Sequence, residues 1–170
     1  MTMDEWHRTF RSRMHDFEHR SRTAQGDLSV SIKLRVTGGC YHREHSPRAY
    51  EIIDRHLREI EGSAEFAFEE HESGPELLVF VAAATAGISL AKSIIDLIVA
   101  IIKARSEGIK KGDHPQEPLE LIVRRTEKNG QLKEEIVLRI GHHDEIKPDM
   151  LEKRLKESLS LLLKKKKRNS

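Results

Sequence analysis

The chain has 170 residues, with 30 Lys plus Arg, 28 Asp plus Glu, 10 His and a single Cys. That length suits one domain with short appendages, and 37% hydrophobic content supports a modest core. One cysteine excludes a disulfide framework within the chain and fits a reducing, cytoplasmic setting; five prolines and ten glycines exclude a collagen-like or linker-dominated chain. Residues 1–25 are charged throughout and are not expected to act as a signal peptide.

The net charge of +2 is unevenly placed. From Lys147 to Ser170 nine basic residues face three acidic ones, so the body is mildly acidic and the tail strongly basic. Nucleic-acid-binding domains spread Lys and Arg over a folded face, so a nucleic-acid partner is disfavoured.

Trp6, Phe10, Met14 and Phe17 are spaced 4, 4 and 3, which predicts a helix over 3–22 with one narrow apolar stripe. Such a stripe must lie on something: its own domain, the groove of a partner, or, third, a membrane surface. Leu28 to Val36 alternates cleanly and predicts a half-buried strand, with Ser29, Ser31, Lys33 and Arg35 on the polar face. Ser46-Pro47 predicts a helix start, Ser46 as N-cap, with Ile52, Ile53, His56, Leu57 and Ile60 inward and Gly62 ending it. Ala64 to Glu70 alternates again; a right-handed crossover would make this strand parallel to the first.

The apolar segment 77–102 is long enough to span a bilayer. Thr85, Ser89, Lys92, Asp96 and Lys103 share one helical face, however, and Lys92 and Asp96 form an i,i+4 pair. The expectation is an amphipathic helix over 77–105 that packs on a sheet and keeps apolar surface, including Ile95 and Ile98, for a second element or subunit. Residues 108–118 read as a loop. Leu119 to Thr126 and Leu132 to Ile140 read as a hairpin around Asn129-Gly130, with Leu121 and Val123 inward and Ile136, Leu138 and Ile140 on one face. Pro148 to Leu163 reads as a last helix with a Leu151/Leu155/Leu159/Leu162 stripe, ending in the run Lys164, Lys165, Lys166, Lys167 and Arg168. That run is expected to be a solvated helix end, with anion binding as the sharper alternative.

The expected fold is therefore α+β, a two-layer sandwich with a β-α-β-α-β-β core and a four-stranded mixed sheet. The expected organisation is an N-terminal amphipathic helix (1–26), a core domain (27–141) and a C-terminal helix with a basic tail (142–170).

Cys40, His42 and His45 form a C-x-H-x₂-H cluster, and His142-His143 is another. The spacing matches no standard zinc finger, and the expected topology puts Cys40 and His142 past opposite ends of the sheet. No metal ligand set is assigned, and Cys40 is read as a spare thiol. Gly38-Gly39 lacks the G-x-G-x-x-G and P-loop contexts and is read as a turn. With no nucleophile elbow, HExxH or paired-acid pattern, no catalytic residue and no cofactor is assigned, and the reading points away from an enzyme.

The strand LSVSIKLRV, the helix-to-strand stretch HLREIEGSAEFAFE, the segment LLVFVAAATAGISLAKSIIDLIVAIIKAR and the hairpin LELIVRRTEKNGQLKEEIVLRI follow in fixed order over residues 28–140. In that order and spacing the chain resembles the effector-associated constant component family of bacterial conflict systems. The resemblance implies a non-catalytic adaptor coupled to a protein effector in bacterial conflict or antiviral defence. Contact with an effector, or with a second copy in an oligomer, is expected through Trp6, Phe10, Phe17, Ile95 and Ile98. The alternative is a membrane-associated protein that inserts 77–102 and holds anionic lipid with Lys164–Arg168.

Overall fold

The computed structural model describes residues 28–60, 66–81, 90–126 and 131–164, with isolated positions 8, 12, 15, 83, 84, 87 and 88. Strand β1 (Leu28–Val36) is followed by α1 (Pro47–Glu59), β2 (Phe66–His71) and β3 (Gly74–Val81). A small two-stranded ladder, β4 (Ala83–Ala84) with β5 (Gly87–Ile88), leads to α2 (Lys92–Lys110). The hairpin strands β6 (Leu119–Thr126) and β7 (Leu132–Ile140) and the helix α3 (Pro148–Lys164) complete the order. The fold is α+β, as expected, but the sheet has five strands in the order β2-β3-β1-β6-β7, and every neighbouring pair is antiparallel.

Two expectations are corrected by β3. The segment from Leu77 to Val81 is strand, not the start of a helix, and the helix begins at Lys92. Leu77 and Val79 join the core while Leu78 is buried on the opposite face, so the strand reads as a continuous apolar run with no alternation to expose it. β3 also lies between β1 and β2. These two strands do run in the same direction, each antiparallel to β3, but they are not neighbours, and the sheet is not mixed. No helix among the described residues is long and apolar enough to cross a membrane, and the segment proposed to insert is divided between a strand, a short ladder and a helix.

One face of the sheet carries Val30, Ile32, Leu34, Val36, Leu77, Val79, Leu119, Leu121 and Val123 into a core shared with all three helices. The polar stripe of α2 is exposed as expected at Lys92, Asp96 and Lys103. Its apolar surface is not left over. Ile94, Ile95, Leu97, Ile98, Ile101 and Ile102 are buried against the sheet, against Ala49, Tyr50 and Ile53 of α1, and against Leu151, Leu155, Leu159 and Leu162 of α3. Ile98 is 0% exposed and Ile95 4%, which corrects their assignment as partner contacts: the C-terminal leucine stripe occupies the surface they were expected to offer.

A further correction falls on β7. The pairing skips a residue, Leu121 opposite Leu138 but Ile122 opposite Ile136, a β-bulge that turns Ile136 to the face opposite the helices. Ile136 is exposed there, while Leu138 and Ile140 face the core and Val137 packs against it.

Candidate functional site

The C-terminal ends of β1 and β7 lie at the same end of the sheet, because both strands are antiparallel to β6 between them. Val36 pairs with Leu119, and Leu119 with Ile140. The loop 37–46 after β1, the loop 111–118 after α2 and the loop 141–147 after β7 all leave from this end. Cys40 and His142 are therefore not at opposite ends, as the expected parallel pairing had placed them.

The loop 37–46 is tied down from several sides. The Thr37 N–H donates to Pro118 O at 3.0 Å. Gly38 adopts φ +66°, which favours glycine, and a Cβ at Gly39 would lie 2.6 Å from the Pro115 ring. Tyr41 is fully buried; its hydroxyl donates to Ile101 O at 3.1 Å, and its carbonyl accepts from the Tyr50 hydroxyl at 3.0 Å. Burial pushes the Tyr41 and Tyr50 phenols well above their ordinary values. Arg43 reaches Asp54 of α1 through Nη1 at 2.7 Å and Glu70 of β2 through Nη2 at 2.7 Å, and its guanidinium lies 4.9 Å from the Tyr50 ring centre. The hydrogen bond to Asp54 leads in holding that guanidinium protonated. Arg43 thus clamps the loop, α1 and β2 together.

Beneath the loop lies a buried polar cluster. Arg105, in the last third of α2, is 3% exposed, stacks 5.2 Å from the Tyr41 ring centre and donates from Nη1 to Ser46 Oγ at 3.1 Å. Its Nε and Nη2 find no acceptor among the described residues. Burial lowers its proton affinity, and Tyr41 and Asp113 oppose that shift. Ser46 takes the expected N-cap position, but its side chain makes no cap bond. Instead the cap is Asp113, some sixty residues on: its carboxylate accepts from the N–H of Arg48 at 3.2 Å and of Ala49 at 2.9 Å. Gly108 makes this approach feasible, because a Cβ there would overlap the Asp113 carboxylate and sit 2.9 Å from the Ala49 nitrogen.

On this scaffold Cys40, His42 and His45 come together. One donor atom from each lies within 4.8 Å of the other two, and the two imidazole rings are 4.3 Å apart at 36°. His42 is buried, Cys40 half-buried and His45 exposed. Burial, then the neighbouring His45, lowers the proton affinity of His42, with Glu44 and Glu72 opposing. The Glu44 N–H donates to His42 Nδ1 at 3.2 Å. Cys40 opens on a groove of about 500 Å³ lined also by Arg35, Thr37, Ser73 and Glu120. His142 and His143 pack ring to ring at 3.9 Å over a separate groove between the end of α2 and the loop after β7. Among the described residues they do not join the Cys40 cluster.

The sheet face opposite the helices holds a ladder of charges. Lys33, expected at the solvent, is 3% exposed and sits 3.8 Å from Glu76, which also faces His71 at 3.3 Å and Arg124 at 3.4 Å. Glu120 lies between Arg35 and Arg139, each at 2.9 Å. Burial drives the Lys33 ammonium down to about 8, with Glu76 opposing. For Glu120 burial acts upward, and the two guanidiniums overcome it, so the carboxyl ends below its ordinary value.

The sequence reading missed Arg105 and Asp113. Arg105 had a signal: it follows Ile98 and Ile101 by seven and four residues, on the buried side of the helix. Asp113, in a polar loop, had none. Of the expected partner and anion contacts, Trp6, Phe10, Phe17, Lys165, Lys166, Lys167 and Arg168 lie outside the described residues; Lys164 is the last residue of α3. Arg8, Ser12 and His15, on the other side of the expected N-terminal helix from its apolar stripe, are helical and exposed. No family model, curated protein or solved structure matches the chain.

Proposed function

We propose that the protein is a non-catalytic interaction module, an adaptor that holds a protein effector or a second copy of itself in the cytosol. The family resemblance over residues 28–140 suggests this role. The observation that carries it is exposed apolar surface on and beside β7, the edge strand: Leu132 is 50% exposed and Ile136 43% on the strand itself, on the face away from the helices, and Leu161 is 49% exposed on α3, the helix on the other face. Large apolar side chains exposed on an edge strand are a common anchor for a partner. Lys133, Glu134, Glu135 and Arg139 on the same strand, together with its bulge, discourage indiscriminate edge pairing, which suits one specific partner.

The test uses the full chain and the proteins encoded beside it. Light scattering and titration calorimetry of the wild type are expected to show self-association or a complex with one neighbour. The triple variant Leu132→Asp, Ile136→Asp, Leu161→Asp is expected to lose the association while keeping its circular dichroism. A wild-type chain that stays monomeric and binds none of these proteins contradicts the proposal.

A further inference from the structure

Cys40, His42 and His45 stand on a loop whose intervening residues are anchors: Tyr41 is locked into the core, and Arg43 is clamped between α1 and β2. The loop closes on itself through the Ser46 N–H to His42 O at 2.9 Å, and onto the loop after α2 through the His114 N–H to His45 O at 3.1 Å. The donors are therefore presented by a held backbone.

We propose that this loop binds a borderline divalent cation, Zn²⁺ foremost, through Cys40 Sγ and one imidazole nitrogen each of His42 and His45, with a fourth position open at the surface. Tetrahedral zinc, with Zn–S of about 2.3 Å and Zn–N of about 2.0–2.1 Å, sets its donors roughly 3.3–3.6 Å apart. Binding requires the present spread of up to 4.8 Å to close, and Cys40 and His45, the two less buried members, are the side chains with room to rotate. One thiolate and two imidazoles favour zinc, cobalt or copper over magnesium or calcium. The groove beside Cys40 provides an entry path. On binding, Cys40 gives its thiol proton to solvent. At His42, a metal on Nδ1 takes the lone pair that now accepts the Glu44 N–H, and a metal on Nε2 shifts the ring proton to Nδ1, which then no longer accepts from Glu44; in both cases the imidazole stays neutral and keeps its proton.

Cys40 is the only cysteine, so a thiolate-to-metal signal reports this site and no other. The tag-free full chain, stripped with chelator, is titrated with Co²⁺. The expected result is one equivalent bound, with a near-ultraviolet thiolate charge-transfer band and the strong visible bands of four-coordinate cobalt, both lost when Zn²⁺ is added. The exposed ligand gives the cleanest variant: His45→Ala should weaken Co²⁺ binding by at least about tenfold, as loss of even an outer-shell partner does. Cys40→Ser should remove the charge-transfer band, and His142→Ala with His143→Ala should change neither. In the unmodified chain, Zn²⁺ should also protect Cys40 from iodoacetamide, a readout that needs no variant to fold. Absence of the charge-transfer band, or alkylation unaffected by Zn²⁺, overturns the proposal, as does wild-type affinity in His45→Ala.

Discussion

Replacing Asp113 by alanine tests whether the loop after α2 holds the start of α1. The carboxylate is 2% exposed and accepts two first-turn N–H groups of α1, from Arg48 and Ala49. Loss of a capping side chain costs about 0.5–2 kcal/mol. The Ala49 N–H is then left buried without an acceptor, which adds about 1–3 kcal/mol. Arg105 also loses the negative charge that offsets its burial. The variant should therefore lose about 3 kcal/mol, a fall in Tm of roughly 6–12 °C for a domain of this size. Asp113→Asn, which keeps one oxygen but sets an amide against the other N–H, should lose about half as much on the same bookkeeping. Urea unfolding followed by circular dichroism gives the numbers. A loss below about 0.5 kcal/mol for Asp113→Ala, the size of an ordinary surface change, would refute the capping role.

Gly108→Ala gains about 1 kcal/mol of helix propensity but drives a methyl group into Asp113 and Ala49, so a net loss of about 2 kcal/mol is expected from overpacking and the lost cap. Combined with Asp113→Ala its cost should shrink, because both variants break the same contact, and a double-mutant cycle in urea reads that coupling. The depressed Lys33 has a pH signature: the unfolded chain holds this proton to about 10.5 and the folded chain only to about 8. Stability should therefore rise between these pH values, by at most about 3 kcal/mol, and that rise should be absent from the stability curve of Lys33→Met. Ile98→Asp places a charge in the sealed core and should unfold the chain in a thermal melt instead of dissociating an assembly, whereas Ile136→Asp should leave the melt within about 0.5 kcal/mol of wild type.

Much of the fold was legible wherever one face of an element is apolar and the other polar. β1, the β6–β7 hairpin, α1 and the leucine stripe of α3 each carry that contrast in their residues. Legibility failed where both faces are apolar. Leu77, Leu78 and Val79 face two sides of a central strand, so their run looks like the helix that follows. Missing β3 then mispaired β1 with β2 and put Cys40 and His142 at opposite ends. The bulge that turns Ile136 outward depends on one skipped residue, and periodicity alone does not register it. The candidate site was half legible. The C-x-H-x₂-H spacing was visible, but its convergence depends on Tyr41, Arg43 and His114 contacts made over long sequence separations. Asp113 capping a helix that begins at Pro47 is a contact of the same kind.

The interaction role at the β7 edge is tested most directly by light scattering on the full chain, alone and mixed with each protein encoded beside it, for wild type and for Ile136→Asp. The account predicts an assembly larger than a monomer in at least one wild-type mixture and its loss in Ile136→Asp with unchanged circular dichroism. A wild-type complex that Ile136→Asp, Leu132→Asp and Leu161→Asp together leave intact would contradict it.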